Sequence, residues 1–137
     1  MARTKFDVEV LTPDGEVFAD EVEMVSTKTV VGSIGVLAGH QPLLAMLDPT
    51  ELRLYKSDSD VVSFAQSEGY LQVSAGRVMV LVEEAHDAGD LDAGELRERL
   101  QQAEKELEDA GEDSEKRRVA ERDKLRWEAF LDIAEGS

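Results

Sequence analysis

Two stretches, Arg77-Val78-Met79-Val80-Leu81-Val82 and the stripe Leu96, Leu100, Ala103, Leu107 and Ala110, stand on either side of a change in the chain's character. In the first, Val78, Val80 and Val82 point one way and Met79 and Leu81 the other, the two-residue period of a strand. Both faces of that strand are apolar. A sandwich core covers only one of them, so the second face calls for a further cover, for which the remaining chain is the candidate. In the second stretch the spacings keep every apolar residue on one face of a helix. The change of period falls near residues 85–90.

Upstream, Phe6, Val8 and Val10 alternate with Lys5, Asp7 and Glu9, a half-buried strand. Pro13-Asp14-Gly15 follows as a turn, Pro presetting φ and Gly accepting positive φ. Further strands are predicted at 16–19, 22–28, 43–47, 51–56, 61–66, 69–73 and 77–84. Gly32/Gly35/Gly39, Asp48-Pro49, Ser57-Asp58-Ser59-Asp60 and Ser74-Ala75-Gly76 punctuate them. Many short strands at this spacing read as an all-β sandwich or barrel.

Downstream, Asp92 is a candidate N-cap with Glu95 three residues on. Gly111 suits a helix stop, and Ser114 a cap for a second helix running to about residue 135. That helix gathers Leu125, Trp127, Phe130, Leu131, Ile133 and Ala134 toward its end. Two helices joined by a short link form an antiparallel hairpin. The predicted fold is therefore an N-terminal all-β sandwich, residues 1–86, followed by a C-terminal antiparallel two-helix hairpin, residues 87–137.

Composition restricts the function. Among 137 residues there are 15 Lys+Arg against 31 Asp+Glu, a net charge of −16. Such a chain is repelled by nucleic-acid phosphates and by anionic lipid surfaces. With 42% hydrophobic residues it nevertheless has the means to fold. There is no cysteine, which removes disulfides, thiolate nucleophiles and Cys-based zinc sites. No targeting segment is visible at the N-terminus, and no apolar run approaches the ~20 residues that span a bilayer. The expectation is a soluble chain without direct membrane insertion. Its charge is uneven: −8 over residues 1–86, −8 over 87–113 and zero over 114–137.

Several residues invite a functional reading, each beside a plainer one. Gly32, Gly35 and Gly39 do not make a P-loop, because no Gly-Lys-Ser/Thr follows; turn glycines in a tight connection are the simpler reading. His40 has no companion ligands for a metal site, and no metal is expected. A hydrogen bond that fixes its loop is favoured over general-base chemistry. With neither a Cys nucleophile nor a Ser elbow, a small hydrolase built on His40 finds no support. His86 reads as a linker residue. Arg118, Arg122 and Arg126 recur every four residues on one face of the second helix. They form either a surface for an acidic partner or a solvated face with local pairs such as Arg118–Glu121 and Lys124–Glu128.

The stretch Val31-Gly32-Ser33-Ile34-Gly35-Val36-Leu37-Ala38-Gly39-His40-Gln41-Pro42-Leu43-Leu44 resembles a loop of the epsilon subunit of F-type, proton-translocating ATP synthases. Glu68-Gly69-Tyr70-Leu71-Gln72-Val73 with the 77–82 run is similar to that family's last two strands, and residues 10–18 to its first hairpin. Ala38 departs from the family's usual Pro. The resemblance implies a non-catalytic subunit in the central stalk, peripheral on the cytoplasmic face of the bacterial cell membrane. Its partner-binding residues would be Gly32, Ser33, Ile34, Gly35, His40 and Pro42, facing the gamma subunit and the c-ring. Its hairpin would lie folded or extend toward the alpha/beta catalytic head, where Arg118, Arg122 and Arg126 would help restrain ATP hydrolysis. Some members bind ATP between the helices through an Ile/Leu-Asp followed by an Arg three residues after the Asp. Leu91-Asp92 is present, but Glu95 takes the arginine's place and Arg97 comes two later. Weak or absent ATP binding is expected, and no cofactor. The alternative from another class is a free-standing acidic binding module that presents its hairpin to a soluble partner.

Overall fold

Phe6, Val8 and Val10 are buried while Asp7 is exposed, so the first strand divides its side chains between core and solvent as its alternation predicts. The computed structural model describes residues 3–136. Ten strands follow in order: β1 (Phe6–Thr12), β2 (Gly15–Val22), β3 (Met24–Thr29), β4 (Gly32–Leu37), β5 (Leu43–Leu47), β6 (Thr50–Tyr55), β7 (Val61–Gln66), β8 (Gly69–Ser74), β9 (Arg77–Val82) and β10 (Ala85–Asp87). A short 3₁₀ turn, Ala88–Asp90, leads to the helices α1 (Ala93–Asp109) and α2 (Ser114–Gly136).

The strands pair in the order β10-β7-β6-β3-β5-β8-β9-β1-β2, with β4 also on β3. A single pairing, Thr29 with Leu47, joins β3 to β5. It turns the corner between a β10-β7-β6-β3-β4 half and a β5-β8-β9-β1-β2 half. The halves share one core. Val25, Val36, Leu52, Leu54 and Phe64 come from the first, and Val8, Val10, Leu71, Val78 and Val80 from the second. Most neighbours are antiparallel, but β1 lies parallel to β9. The architecture is the expected β-sandwich with two C-terminal helices.

The helices start and stop largely where their signals predict. The Asp92 side chain accepts a hydrogen bond from Glu95 N at 3.2 Å and caps α1. Leu96, Ala103 and Ala110 are buried on the predicted stripe. Gly111, at φ +57°, ends the helix in a conformation L side chains rarely adopt. The second cap is corrected: Asp113, not Ser114, accepts from Lys116 N at 3.1 Å. The acid one residue earlier has the reach to serve the first turn of α2.

Two further expectations need correction. The glycine-rich stretch is not irregular throughout, because Gly32–Leu37 forms β4 and pairs along the whole of β3. Its glycines conceal a strand that propensity disfavours and tertiary pairing enforces. The hairpin also does not settle over the outer face of β9. It packs through α2 on β6 and β7, and Leu81 stays exposed. Connectivity explains this. β10 leaves the sheet beside β7, so the helices come down on that half, whereas β9 lies in the other half between β8 and β1.

Candidate functional site

The β3–β4 connection holds its tip by side chain and backbone together. Thr29 Oγ1 donates to Gly32 O at 2.9 Å and accepts from Val31 N at 3.2 Å. Gly32 adopts φ +140° at the end of the turn. The tip projects Val30 and Val31, the latter 93% exposed. Among the predicted partner-binding residues, Ser33 pairs with Lys28, Ile34 with Thr27 and Gly35 with Ser26 on β3. Ile34 packs against the core, while Ser33, Gly35 and Pro42 are exposed. His40 lies after the strand. Its amide donates to Leu37 O at 3.2 Å, and Nδ1 lies 2.7 Å from Gln41 O. A carbonyl only accepts, so Nδ1 carries the proton in this bond.

A second apolar surface emerges only from the folded chain. Cross-strand register aligns Met46 with Tyr70 and Tyr70 with Leu81. Leu81 in turn stands beside Leu11. Met46, Tyr70 and Leu81 are all exposed, and Leu44 on the same strand as Met46 is 69% exposed. The signal is present in Leu43-Leu44-Ala45-Met46-Leu47, a run apolar on both faces like 77–82. Contiguous exposed apolar surface of this kind marks an interaction site more often than scattered residues do.

The structure separates the three arginines of α2. Arg118 reaches back to Glu115, with Nη2 at 2.6 Å and Nε at 3.2 Å. That partner replaces the predicted Glu121, which instead lies 3.9 Å from Arg117. The hydrogen bonds and charge of Arg118 hold the Glu115 carboxyl below the usual carboxylate range. Arg122 pairs with its neighbour Asp123 at 2.9 Å. Both pairs are solvent-exposed, where such contacts add little. Lys124 pairs with Glu128 as expected, at 3.8 Å. Arg126 differs: it is only 8% exposed and turns inward onto the sandwich. Its Nη2 is 2.7 Å from Glu68 Oε2, its Nε is 3.2 Å from Glu68 Oε1, and Nη1 bonds Glu84 Oε2. Burial alone pulls this guanidinium's pKa down, but the two carboxylates outweigh it and the net direction is up.

At the junction of sandwich and hairpin lies a cleft of about 320 Å³, walled by His86, Asp87, Asp90, Asp92, Glu95, Arg99 and Trp127 among others. His86 belongs to β10, with Nε2 2.9 Å from Glu84 Oε1 and its ring edge-on to Phe130. The cations near the cleft are already engaged. Arg99 bonds Glu95 at 2.6 Å and lies over the Trp127 ring, and Arg97 bonds Glu135 at 3.0 Å. A triphosphate entering here would meet the carboxylates of Asp87, Asp90, Asp92 and Glu95, with Arg99, itself paired with Glu95, as the one cation of the lining. Among the described residues no group of His, Asp and Glu is arranged to hold a metal ion, and no helix is long and apolar enough to cross a membrane.

Residues 5–88 match the family described as ATP synthase, Delta/Epsilon chain, beta-sandwich domain. An ATP synthase epsilon chain of Halalkalibacterium halodurans is 39% identical over 127 residues, 93% of this chain and 95% of its own. Another, of Sulfurihydrogenibium sp., is 31% identical over 129 residues, 94% of this chain and 96% of its own. A chain in the cryo-EM structure of the Euglena gracilis mitochondrial ATP synthase OSCP/F1/c-ring superposes with a TM-score of 0.78 at 22% identity, covering 92% of this chain and 79% of that one. A chain of the Tetrahymena thermophila mitochondrial ATP synthase central stalk and c-ring does so at 0.62 and 17%, covering 98% and 99%. These two likenesses speak to the fold. Taken with the family match and the two full-length relatives, they leave one assignment: the chain belongs to the ATP synthase epsilon chains, subunits of a membrane-associated complex that are not themselves catalytic.

Proposed function

We propose that this epsilon chain works in the central stalk, carrying rotation between the c-ring and the catalytic head, and that its hairpin restrains ATP hydrolysis when it leaves the sandwich. In this reading the sandwich, residues 1–86, and the hairpin, 87–137, are separable working parts. The gamma subunit and c-ring meet Gly32, Ser33, Ile34, Gly35, His40 and Pro42, and the complex sits on the cytoplasmic face of the bacterial membrane. The observation that supports this most is the apolar surface around that segment. Val30 and Val31 project from the β3–β4 tip, and Leu37, Leu44 and Met46 are exposed nearby in the chain. Exposed aliphatic side chains on a chain of net charge −16 suit a surface that is covered in an assembly.

The regulatory half rests on the hairpin's apolar contact with the sandwich, which is separate from the sandwich core. Ala65, Leu96 and Phe130 are its buried members. A docking contact with few fully buried members is compatible with two positions separated by a few kcal/mol. Arg118, Arg122 and Arg126 then serve an acidic surface of the alpha/beta head. Deleting residues 90–137 in the assembled complex is the test: ATP hydrolysis should rise while assembly persists, and unchanged hydrolysis would refute an inhibitory arm. The acidic lining of the junction cleft opposes ATP, and in this reading hairpin position is not set by nucleotide. Calorimetry with ATP should give no heat at micromolar concentrations, and low-micromolar binding would overturn that point.

A further inference from the structure

The two acids that receive Arg126 come from separate crossings at one end of the sandwich. Glu68 lies between β7 and β8, and Glu84 between β9 and β10. The two crossings are bound to each other without help from the hairpin. Ser67 N donates to Glu84 O at 2.9 Å, and Glu84 N donates to Ser67 Oγ at 2.8 Å, with Ser67 fully buried. The main-chain positions that carry both carboxylates are thus held side by side by the sandwich itself. Two like charges so placed repel unless a cation lies between them. Arg126 supplies it, meeting Glu68 with two nitrogens and Glu84 with the third. This use of a planar guanidinium is one that a lysine ammonium does not reproduce.

We propose that Glu68 and Glu84 form a preorganised guanidinium receptor on the sandwich, and that its grip on Arg126 is the latch that keeps the hairpin docked. The apolar contact beside it has Ala65, Leu96 and Phe130 as its buried members, with only half-buried side chains around them. The latch is shielded, since the Arg126 side chain is 10% exposed and the Trp127 ring centroid lies 5.6 Å from its guanidinium carbon. Glu84 ties the latch into the same contact, because its other oxygen meets His86, whose ring packs on Phe130. The latch also masks a charge. With all three nitrogens engaged, Arg126 is closed to any acidic partner while the hairpin is down. Departure of the hairpin exposes the guanidinium and leaves an acidic pair on the sandwich, so hairpin position and charge display change together. Arg118 and Arg122 have no such change, since their partners lie on α2 itself.

Trp127 is the only tryptophan of the chain and stands beside the latch, so its fluorescence reports docking. The test uses the full chain. It compares the unaltered protein with Glu68→Gln/Glu84→Gln, with Arg126→Met and with Glu115→Gln as a surface control, by acrylamide quenching of Trp127 and by hydrogen exchange. In the double Gln variant and in Arg126→Met, quenching should rise about twofold or more and α2 amides should exchange about tenfold faster or more, with β1, β8 and β9 unchanged. Glu115→Gln should match the unaltered chain. Arg126→Met leaves the sandwich sequence intact and replaces the charge by an apolar side chain of similar reach. If it keeps the original quenching and α2 protection, apolar packing alone docks the hairpin and the latch is overturned, whatever the Gln variant does. The readout comes from the chain alone, so it stands or falls separately from the restraint of hydrolysis.

Discussion

Gly69 at the start of β8 lies against the backbone of Leu81 in β9. A Cβ there would land on the Leu81 carbonyl oxygen and 2.8 Å from Val82 Cα. The obstruction is main chain, so no rotamer relieves it, and Gly69 is paired in register with Val82. Gly69→Ala should force β8 and β9 apart and cost about 1–3 kcal/mol, the range for overpacking. Urea unfolding is the measurement, and an unchanged midpoint would show that the two strands separate without penalty. The same crossing carries Glu68, so the variant should also loosen the hairpin.

Phe130 is 1% exposed, yet it belongs to the cluster with Ala65 and Leu96 and not to the sandwich core. Its removal should therefore act on docking. Phe130→Ala deletes a buried ring worth about 3–5 kcal/mol in a well-packed site, and the loss should fall on the hairpin while the sandwich keeps its own stability. Thermal unfolding followed by Trp127 fluorescence and by the β-sheet circular dichroism should split into two transitions. A single transition displaced as a whole would mean that hairpin and sandwich unfold as one unit.

How far the sequence reaches can be judged from particular residues. Phe6, Val8 and Val10 announce their strand because one face is buried and the other wet. Asp92 announces its helix because a carboxylate three residues before an amide has one good use there. β4 stays hidden because Gly32 and Gly35 carry no apolar signal and the strand exists through pairing with β3. The Arg118, Arg122 and Arg126 series is legible as a spacing, but a four-residue period drifts around a helix. Arg126 crosses from the exposed side to the buried one, and sequence periodicity holds no record of Glu68 and Glu84 waiting there. Leu81 misleads for the converse reason. An apolar outer face shows that a cover is wanted and does not say whether the same chain supplies it.

Glu51 gives a pH dependence with a definite sign. Burial pushes its carboxyl up, but the Ser63 hydroxyl and the Arg53 guanidinium outweigh this and hold it below the usual carboxylate range. A depressed folded-state pKa adds stability above the unfolded value, near ~4.3 for a glutamate. That contribution is lost as pH falls from there through the lower folded value. Glu51→Gln lacks the contribution at every pH. Its urea midpoint should therefore lie below that of the unaltered chain at about pH 6 and approach it as the pH falls through the lowered folded value. Parallel curves from about pH 6 downward would assign the acid sensitivity to other carboxylates.

The arginines and their acids make the regulatory reading testable by sign. Arg118→Ala with Arg122→Ala removes two exposed charges whose partners rehydrate freely, so the isolated chain should keep its thermal midpoint and α2 protection. In the assembled complex the same pair should raise ATP hydrolysis, by less than deletion of residues 90–137 does. Glu68→Gln with Glu84→Gln should do the opposite. It releases the hairpin while leaving Arg118, Arg122 and Arg126 intact to meet an acidic surface, so hydrolysis should fall below that of the unaltered complex. Arg126→Ala combines release with loss of one charge and should lie between the two. Steady-state ATP hydrolysis of the five complexes at equal subunit content decides the matter. If the double Gln variant hydrolyses faster than the unaltered complex while its α2 amides are unprotected, the undocked hairpin does not restrain the enzyme.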